Sequence, residues 1–158
     1  MSYRARLVLV CLFVIVLLAA PCSSPAQQAQ PSSYQAMTDH FFAMVKEGKG
    51  PEAIDYLFDT NPALKKVPDQ VQQLKSQFAT LPALVGPYMA HAKLAETKVA
   101  GMFVYQHYFV AYERQPISIR IKYYKPGAVW LCHGLQFDVE LPDTIQKQTD
   151  SSITFDGK

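Results

Sequence analysis

The feature that most constrains the fold is a change of apolar periodicity near Gly86. Before this glycine, apolar residues recur every three or four positions, which is the spacing of one face of an α-helix. After it, runs rich in β-branched and aromatic residues predominate. One of these runs, Ile117–Tyr124, alternates apolar and polar residues, as a half-buried strand does. The pattern predicts helices in the first half of the chain and a sheet in the second.

Three helices are predicted before Gly86. The first covers 33–48, with serine at its start as a cap and glycine at its end as a stop. The second covers 51–58 and begins with a proline, which suits a first turn. The third covers 68–80, and Pro82 is expected to mark its end because proline lacks the N–H that a helix interior needs.

Four strands are predicted after Gly86, at 91–99, 102–113, 117–124 and 129–140. Helices followed by four antiparallel strands indicate an α+β domain. The apolar helix stripes and the isoleucine face of the third strand are expected to cover one another, because each would otherwise be exposed to water.

The register of the last hairpin has two alternatives. A two-residue loop at Pro126-Gly127 would place Trp130, Cys132 and Gly134 on the isoleucine face. The residues that a one-residue bulge would place there instead are Leu131, His133, Leu135 and Phe137. A slip of one residue exchanges the whole set, because side chains alternate between the two faces of a strand. The apolar residues favour the bulged register.

Residues 1–26 are predicted to form a signal peptide. Arg4 and Arg6 precede an uncharged apolar run over 7–20, which as a helix is too short to cross a bilayer. The segment Ser24-Pro25-Ala26 has the small residues that signal peptidase accepts. The chain is therefore expected to be exported, to the periplasm or the medium.

Two alternatives to this cleavage are an uncleaved membrane anchor and a lipoprotein acylated at Cys22. Contact with a membrane is expected only through the signal peptide or that lipid. Beyond the signal, 27–33 is predicted to be a flexible tether, 34–145 the α+β domain, and 146–158 a flexible tail.

Cleavage would also change the charge and the cysteine count. The chain has 15 basic and 13 acidic residues, a formal charge of +2, and loss of Arg4 and Arg6 would remove that excess. A basic footprint for nucleic acid is then absent, so no nucleic-acid partner is expected. Cys132 would remain as a single thiol, which is expected to be buried and inert.

Residues around the sheet also resemble a known family. They are Leu84-Val85-Gly86-Pro87-Tyr88 before the first strand and Tyr123-Tyr124-Lys125-Pro126, Trp130 and Phe137-Asp138 in the last hairpin. On these residues, 34–140 resembles the nuclear-transport-factor-2-like (cystatin-like α+β) superfamily, as an uncharacterised secreted bacterial member. The resemblance implies a cone in which helices pack on a curved four-stranded sheet with a pocket on its concave face. It also implies relatives that act as isomerases, dehydratases, binding modules or dimers, but no catalytic motif carries over.

Short motifs for nucleotide binding, zinc proteases and serine hydrolases are absent from the sequence, and no cofactor is expected. His91, His107 and His133 lie on three different predicted strands. They are interpreted as separate sheet histidines with local hydrogen bonds, in preference to a metal site. Arg120 and Lys122 alternate with the isoleucines, so they line either a solvated sheet face or an anion-binding one.

Five residues make up the candidate pocket: Tyr105, His107, Arg120, His133 and Asp138. The leading hypothesis is an exported, non-catalytic domain that binds a small apolar or acidic ligand, or a protein partner, through the concave sheet face. The alternative is an isomerase- or dehydratase-like enzyme that uses a strand histidine with Asp138 or a tyrosine. A homodimer formed through the sheet is the third hypothesis.

Overall fold

The computed structural model describes residues 33–152, with side chains described as far as residue 147. The predicted signal peptide, Cys22 and the end of the predicted tail lie outside the described residues. Within them, four α-helices accompany one four-stranded antiparallel sheet. Three of the helices precede the sheet, as predicted, so the α+β class is confirmed.

The three predicted helices are all present. Helix α1 spans Tyr34–Lys46, α2 spans Gly50–Phe58 and α3 spans Pro68–Val85, with a 3₁₀ turn at Leu64–Lys66 between α2 and α3. Ser33 caps α1 as expected, because its Oγ accepts a hydrogen bond of 3.1 Å from the backbone N–H of Ala36.

The predicted end of α3 at residue 80 is wrong, because the helix continues through Pro82. Gly86 ends it with φ of 88°, a left-handed conformation that glycine adopts readily. Arg114 bonds the last carbonyls: its backbone N–H donates to the oxygen of Val85 at 2.9 Å and its Nη1 to that of Ala83 at 3.0 Å. These bonds satisfy carbonyl groups that lack partners at a helix end.

The four predicted strands are also present, with ends that differ by up to three residues. Strand β1 spans Tyr88–Val99, β2 Phe103–Tyr112, β3 Ile117–Tyr124 and β4 Leu131–Asp138, in the order β1-β2-β3-β4. A fourth helix, α4 at Leu141–Ser152, was not predicted. It crosses the predicted boundary between the domain and its tail.

The hydrophobic core lies between helices α1–α3 and one face of the sheet. Ile117, Ile119 and Ile121 are each 0% exposed and belong to this core. The predicted covering of the isoleucine face by the helices is therefore confirmed. The opposite sheet face, here called the open face, carries the alternate residues of each strand.

The β3–β4 register combines features of both sequence alternatives. Tyr123 pairs with Cys132, whereas Ile121 pairs with Leu135, so His133 is an extra residue in a bulge. Cys132 is 0% exposed and Leu135 5%. The residues of β4 that face the core are therefore even-numbered before the bulge and odd-numbered after it. Neither alternative describes the whole strand, because 125–130 lie in the connection and the slip occurs inside β4.

A chain of polar side chains crosses this core and is here called the polar seam: Tyr123, Thr38, Gln106 and Glu96. Thr38 Oγ1 lies 2.8 Å from Gln106 Oε1 and 2.8 Å from Tyr123 OH. Gln106 Nε2 donates to Glu96 Oε2 at 3.0 Å. The seam joins α1 to β1, β2 and β3 through hydrogen bonds.

The direction of these hydrogen bonds follows from the carboxylate at the end of the seam. Because the ionised Glu96 only accepts, the amide nitrogen of Gln106 must face it, and its oxygen then accepts from Thr38. The single Thr38 proton is shared with the carbonyl oxygen of Tyr34, 3.0 Å away. Tyr123 OH must then donate to Thr38 Oγ1.

The variant Thr38→Val removes the hydroxyl at the centre of the seam but keeps the side-chain shape. Tyr123 OH and Gln106 Oε1 would be left without this partner in the core, at about 1–3 kcal/mol for each buried group. We expect urea titrations to show a free energy of unfolding lower by roughly 2–4 kcal/mol. Thr80→Val, on exposed α3, is the control and should change it by less than about 0.5 kcal/mol; equal losses would contradict a special role for Thr38.

A second prediction concerns the pH dependence of stability. Hydrogen bonds from Lys93, Gln106 and Lys98 hold the pKa of Glu96 at about 2, below its usual 4.5. Since the folded-state pKa is the lower one, the stabilisation is complete above about pH 4.5 and is lost as the pH falls toward 2. We expect the stability difference between the natural chain and Glu96→Gln to shrink over this window in urea titrations. A difference that is constant with pH would contradict the assignment.

Candidate functional site

The open face is organised as four cross-strand rungs. In β1-to-β4 order they are Val99–Phe103–Tyr124–Leu131, Thr97–Tyr105–Lys122–Gly134, Ala95–His107–Arg120–Gln136 and Ala92–Phe109–Ser118–Asp138. Their members share one face because side chains alternate along each strand. The first rung is apolar and aromatic, and the next three carry the polar and charged groups.

The structure places the predicted pocket residues on this open face. Tyr105 is in the second rung, His107 and Arg120 are direct neighbours in the third, and Asp138 is in the fourth. They are therefore on the face away from helices α1–α3. Helix residues line three cavities of about 360, 370 and 460 Å³, and strand residues complete the walls of the last two; none of the five predicted residues lines them.

His133 reaches the open face from the bulge in β4. It is exposed, and its ring centre lies 6.3 Å from those of both Phe103 and Tyr124. It therefore extends the apolar first rung, at a distance from His107 in the third rung. The structure thus brings Tyr105, His107 and Arg120 together and leaves His133 at the other end of the face.

Arg120 and Asp138 form an ion pair across the strands. Arg120 Nη2 donates to Asp138 Oδ2 at 3.3 Å, and both side chains are about one-third exposed. The other carboxylate oxygen, Oδ1, accepts the backbone N–H of Glu140 at 2.8 Å. Asp138 therefore connects the end of β4 to the residue before α4, and the charge of Arg120 is balanced.

Two buried polar atoms on this face have no hydrogen-bond partner among the described residues: His107 Nε2 and Ser118 Oγ. Ser118 is 1% exposed. It lies diagonally across from His107, because it precedes Arg120 by two residues on β3 and His107 pairs with Arg120. An unpaired buried polar group costs about 1–3 kcal/mol, so this part of the face is suited to a polar group that would pair with both atoms.

Helix α4 borders the same end of the open face. It contacts β3, and Leu141 at its start is buried without belonging to the main core. Ser118, at the start of β3, is buried on the face away from that core. The beginning of α4 therefore closes one end of the rungs and leaves the other end open.

The protonation of His107 is shifted by its surroundings. Burial lowers the pKa of its imidazole below 6.5, and the guanidinium of Arg120 lowers it further. The ring is therefore neutral at pH 7, and Nε2 either accepts or donates a hydrogen bond according to the tautomer. The hydrogen-bond partner that Nε2 lacks is accordingly a neutral or acidic group that can act as a donor or as an acceptor.

Lys122 supplies the unbalanced charge on the open face. Among the members of the four rungs the charged residues are Arg120, Lys122 and Asp138, and no ion pair joins Lys122 to a carboxylate in the described chain. Its neighbours in the rung are Tyr105 and Gly134. A Cβ added at Gly134 would meet nothing within 4 Å, so the surface beside the ammonium group is open.

The pair that the enzyme hypothesis needs is not formed on the open face. No hydrogen bond joins His107 to a carboxylate or phenol among the described residues, and both Asp138 oxygens already accept bonds. A histidine–phenol contact occurs elsewhere: Tyr88 OH lies 2.5 Å from Nδ1 of His91, whose ring stacks on Phe42 at 3.8 Å. That contact belongs to the core side of β1.

Cys132 is buried, as the sequence predicted. It is 0% exposed, and burial raises the pKa of its thiol to about 12. The thiol is therefore protonated at neutral pH and poorly nucleophilic. The bulge places His133 on the other face, so the two neighbours do not form a reactive pair.

No protein-family model, curated protein or solved structure matches this chain. Within the described 33–152, no cluster of three or more histidine, cysteine and acidic side chains could hold a metal ion. The same residues include no helix with the length and apolarity to cross a membrane.

Sequence reasoning missed Ser118 as a site residue and gave Lys122 only a general role. Ser118 belongs to the same alternating series of β3 as Arg120 and Lys122, so the strand pattern could have placed it on their face. Its burial could not be found in the same way, because it depends on the position of α4.

The lowered pKa of His107 is testable by NMR. We expect the Cε1–H resonance of His107 to titrate with a midpoint below 6.5. Arg120→Gln should raise the midpoint only in part, because burial is the larger cause. A midpoint above 6.5 in the natural chain would contradict this account of the site.

Proposed function

We propose that the chain is an exported, non-catalytic binding domain whose open sheet face binds an acidic small molecule with an apolar part. The observation that carries the proposal is the position of Lys122. Lys122 belongs to the second rung, between the apolar first rung and the third rung, where Nε2 of His107 is buried without a hydrogen-bond partner among the described residues.

The charges on the rungs favour an anionic group. Arg120 is balanced by Asp138, whereas Lys122 has no carboxylate partner in the described part of the chain. A carboxylate beside Lys122 would form a charge-assisted hydrogen bond. His107, the diagonal neighbour of Lys122 on β2, can donate a further hydrogen bond to such a group in the tautomer with a proton on Nε2.

The apolar part of the ligand would lie along the first rung. Val99 is 54% exposed and Tyr124 39%, and both flank Phe103. Covering such side chains contributes about 25 cal/mol per Å² of apolar area. In the third and fourth rungs, β1 contributes the small side chains of Ala95 and Ala92 beside the larger rings of β2. An extended ligand therefore has room to lie flat on this part of the face.

Export enters the proposal from the sequence. The predicted signal peptide at 1–26 supports it, and the resemblance to the nuclear-transport-factor-2-like superfamily supports a binding role in a secreted protein. The four-stranded sheet with helices on one face is compatible with that resemblance.

The test uses 1-naphthoate as the probe and 1-naphthamide as its neutral counterpart. We expect naphthoate to shift backbone amide resonances of β2 and β3 in ¹H–¹⁵N spectra, and naphthamide to bind more weakly. Lys122→Gln should weaken naphthoate binding at least about tenfold, since a hydrogen bond to a charged group contributes about 1.5–3 kcal/mol.

Lys66→Gln is the matched control, because Lys66 is an exposed cation in the 3₁₀ turn, away from the sheet. The affinity for naphthoate should change by less than about twofold, because this variant removes only a charge that is distant from the site. Equal binding of the acid and the amide, or the same loss in both lysine variants, would count against the proposal.

A further inference from the structure

We propose a second binding site, separate from the open face, in the cavity of about 460 Å³ where helices α1–α3 meet the ends of β1 and β2. The geometry assigns it to a neutral, largely apolar molecule that carries one hydrogen-bond acceptor, such as a carbonyl oxygen. Residues that line it include Val45, Phe78, Pro82, Pro87, Tyr88 and Tyr112.

The size and walls of the cavity suit a small organic molecule. Its volume falls in the range of about 300–1,000 Å³ that ligand sites occupy. The walls are mainly aliphatic and aromatic and include three prolines, Pro51, Pro82 and Pro87. The apolar side chains among them favour an apolar occupant.

The close approach of α2 to α3 shapes one wall. Gly50 is buried at the start of α2, and a Cβ added there would lie 2.7 Å from a ring carbon of Phe78. A glycine is therefore needed for Phe78 to keep its position at the cavity. Pro82, which α3 tolerates in its interior, lines the same cavity one turn further along.

The charges at the cavity favour a neutral ligand. Two exposed residues of opposite sign line it, Lys46 and Glu52. Their charges offset one another, so the cavity offers no excess charge to a cation or an anion. This distinguishes it from the open face, where Lys122 is unbalanced.

The polar group that would donate a hydrogen bond to the ligand is the phenol of Tyr112. Tyr112 is 7% exposed, and its hydroxyl forms no hydrogen bond within the described part of the chain, whereas Tyr88 OH is already bonded to His91. Burial raises the pKa of Tyr112 to about 12, so the phenol stays protonated at neutral pH. A protonated phenol donates, and the matching group on the ligand is an acceptor.

The probe for this site is 6-propionyl-2-(dimethylamino)naphthalene, a neutral fluorescent ketone whose emission responds to hydrogen bonding. We expect saturable binding to the purified protein. Ala79→Trp, at an exposed position that lines the cavity, should fill the opening and weaken binding at least tenfold. Tyr112→Phe should weaken it about threefold to tenfold and shift the bound emission to the blue, because one hydrogen bond is lost.

Ala83→Trp is the matched control, since Ala83 is an exposed alanine one turn further along α3 that does not line the cavity. It should leave binding within about twofold, because its side chain lies outside the site. The proposal is overturned if the ketone does not bind saturably, if both tryptophan variants weaken binding equally, or if Tyr112→Phe changes neither affinity nor emission.

Discussion

The bulge at His133 is the constraint on which both faces of the sheet depend. Before it, Cys132 pairs with Tyr123 and faces the core; after it, Leu135 pairs with Ile121. Without the extra residue, the period of two would bring Gly134 and Gln136 opposite the isoleucines and turn Leu135 and Phe137 outward. The bulge therefore completes the core and, by the same slip, aligns Gln136 and Asp138 with Arg120 and Ser118 on the open face.

The polar seam makes the helical side of the sheet specific. Apolar packing alone would tolerate small shifts of α1, whereas Thr38 must sit within hydrogen-bond distance of both Gln106 and Tyr123. At its outer end Glu96 accepts hydrogen bonds from Gln106 of β2 and, at 3.1 Å, from the hydroxyl of Tyr34 of α1, which ties β1 to both elements. Because that face packs in the core, the remaining polar groups of the sheet belong to the open face. The space between the helix ends and Tyr112 forms the cavity of about 460 Å³.

The two errors in the helices have separate physical causes. Pro82 removes one backbone N–H donor from α3, and the helix continues past it. Arg114, from the β2–β3 connection, donates hydrogen bonds to carbonyl groups of the last turn. That partner lies far along the chain and gives no local signal. Helix α4 was missed because Leu141 is its one buried apolar side chain among those described, so its sequence shows little of the periodicity that identified the other helices.

The sequence by itself determined the α+β class, the order of the first three helices and the four strands, and the isoleucine core face, because each follows from local periodicity and apolar content. It also indicated the burial of Cys132, because a free thiol behaves as a small apolar side chain. It also placed Tyr105 and His107 on one face of β2, since they are two residues apart. Only the tertiary structure decided that Arg120 stands beside His107, that Ser118 is buried without a partner, and that His133 lies apart from them. Those relations depend on the register between strands and on the position of α4, and a slip of a single residue in the pairing reverses them without any change in local pattern.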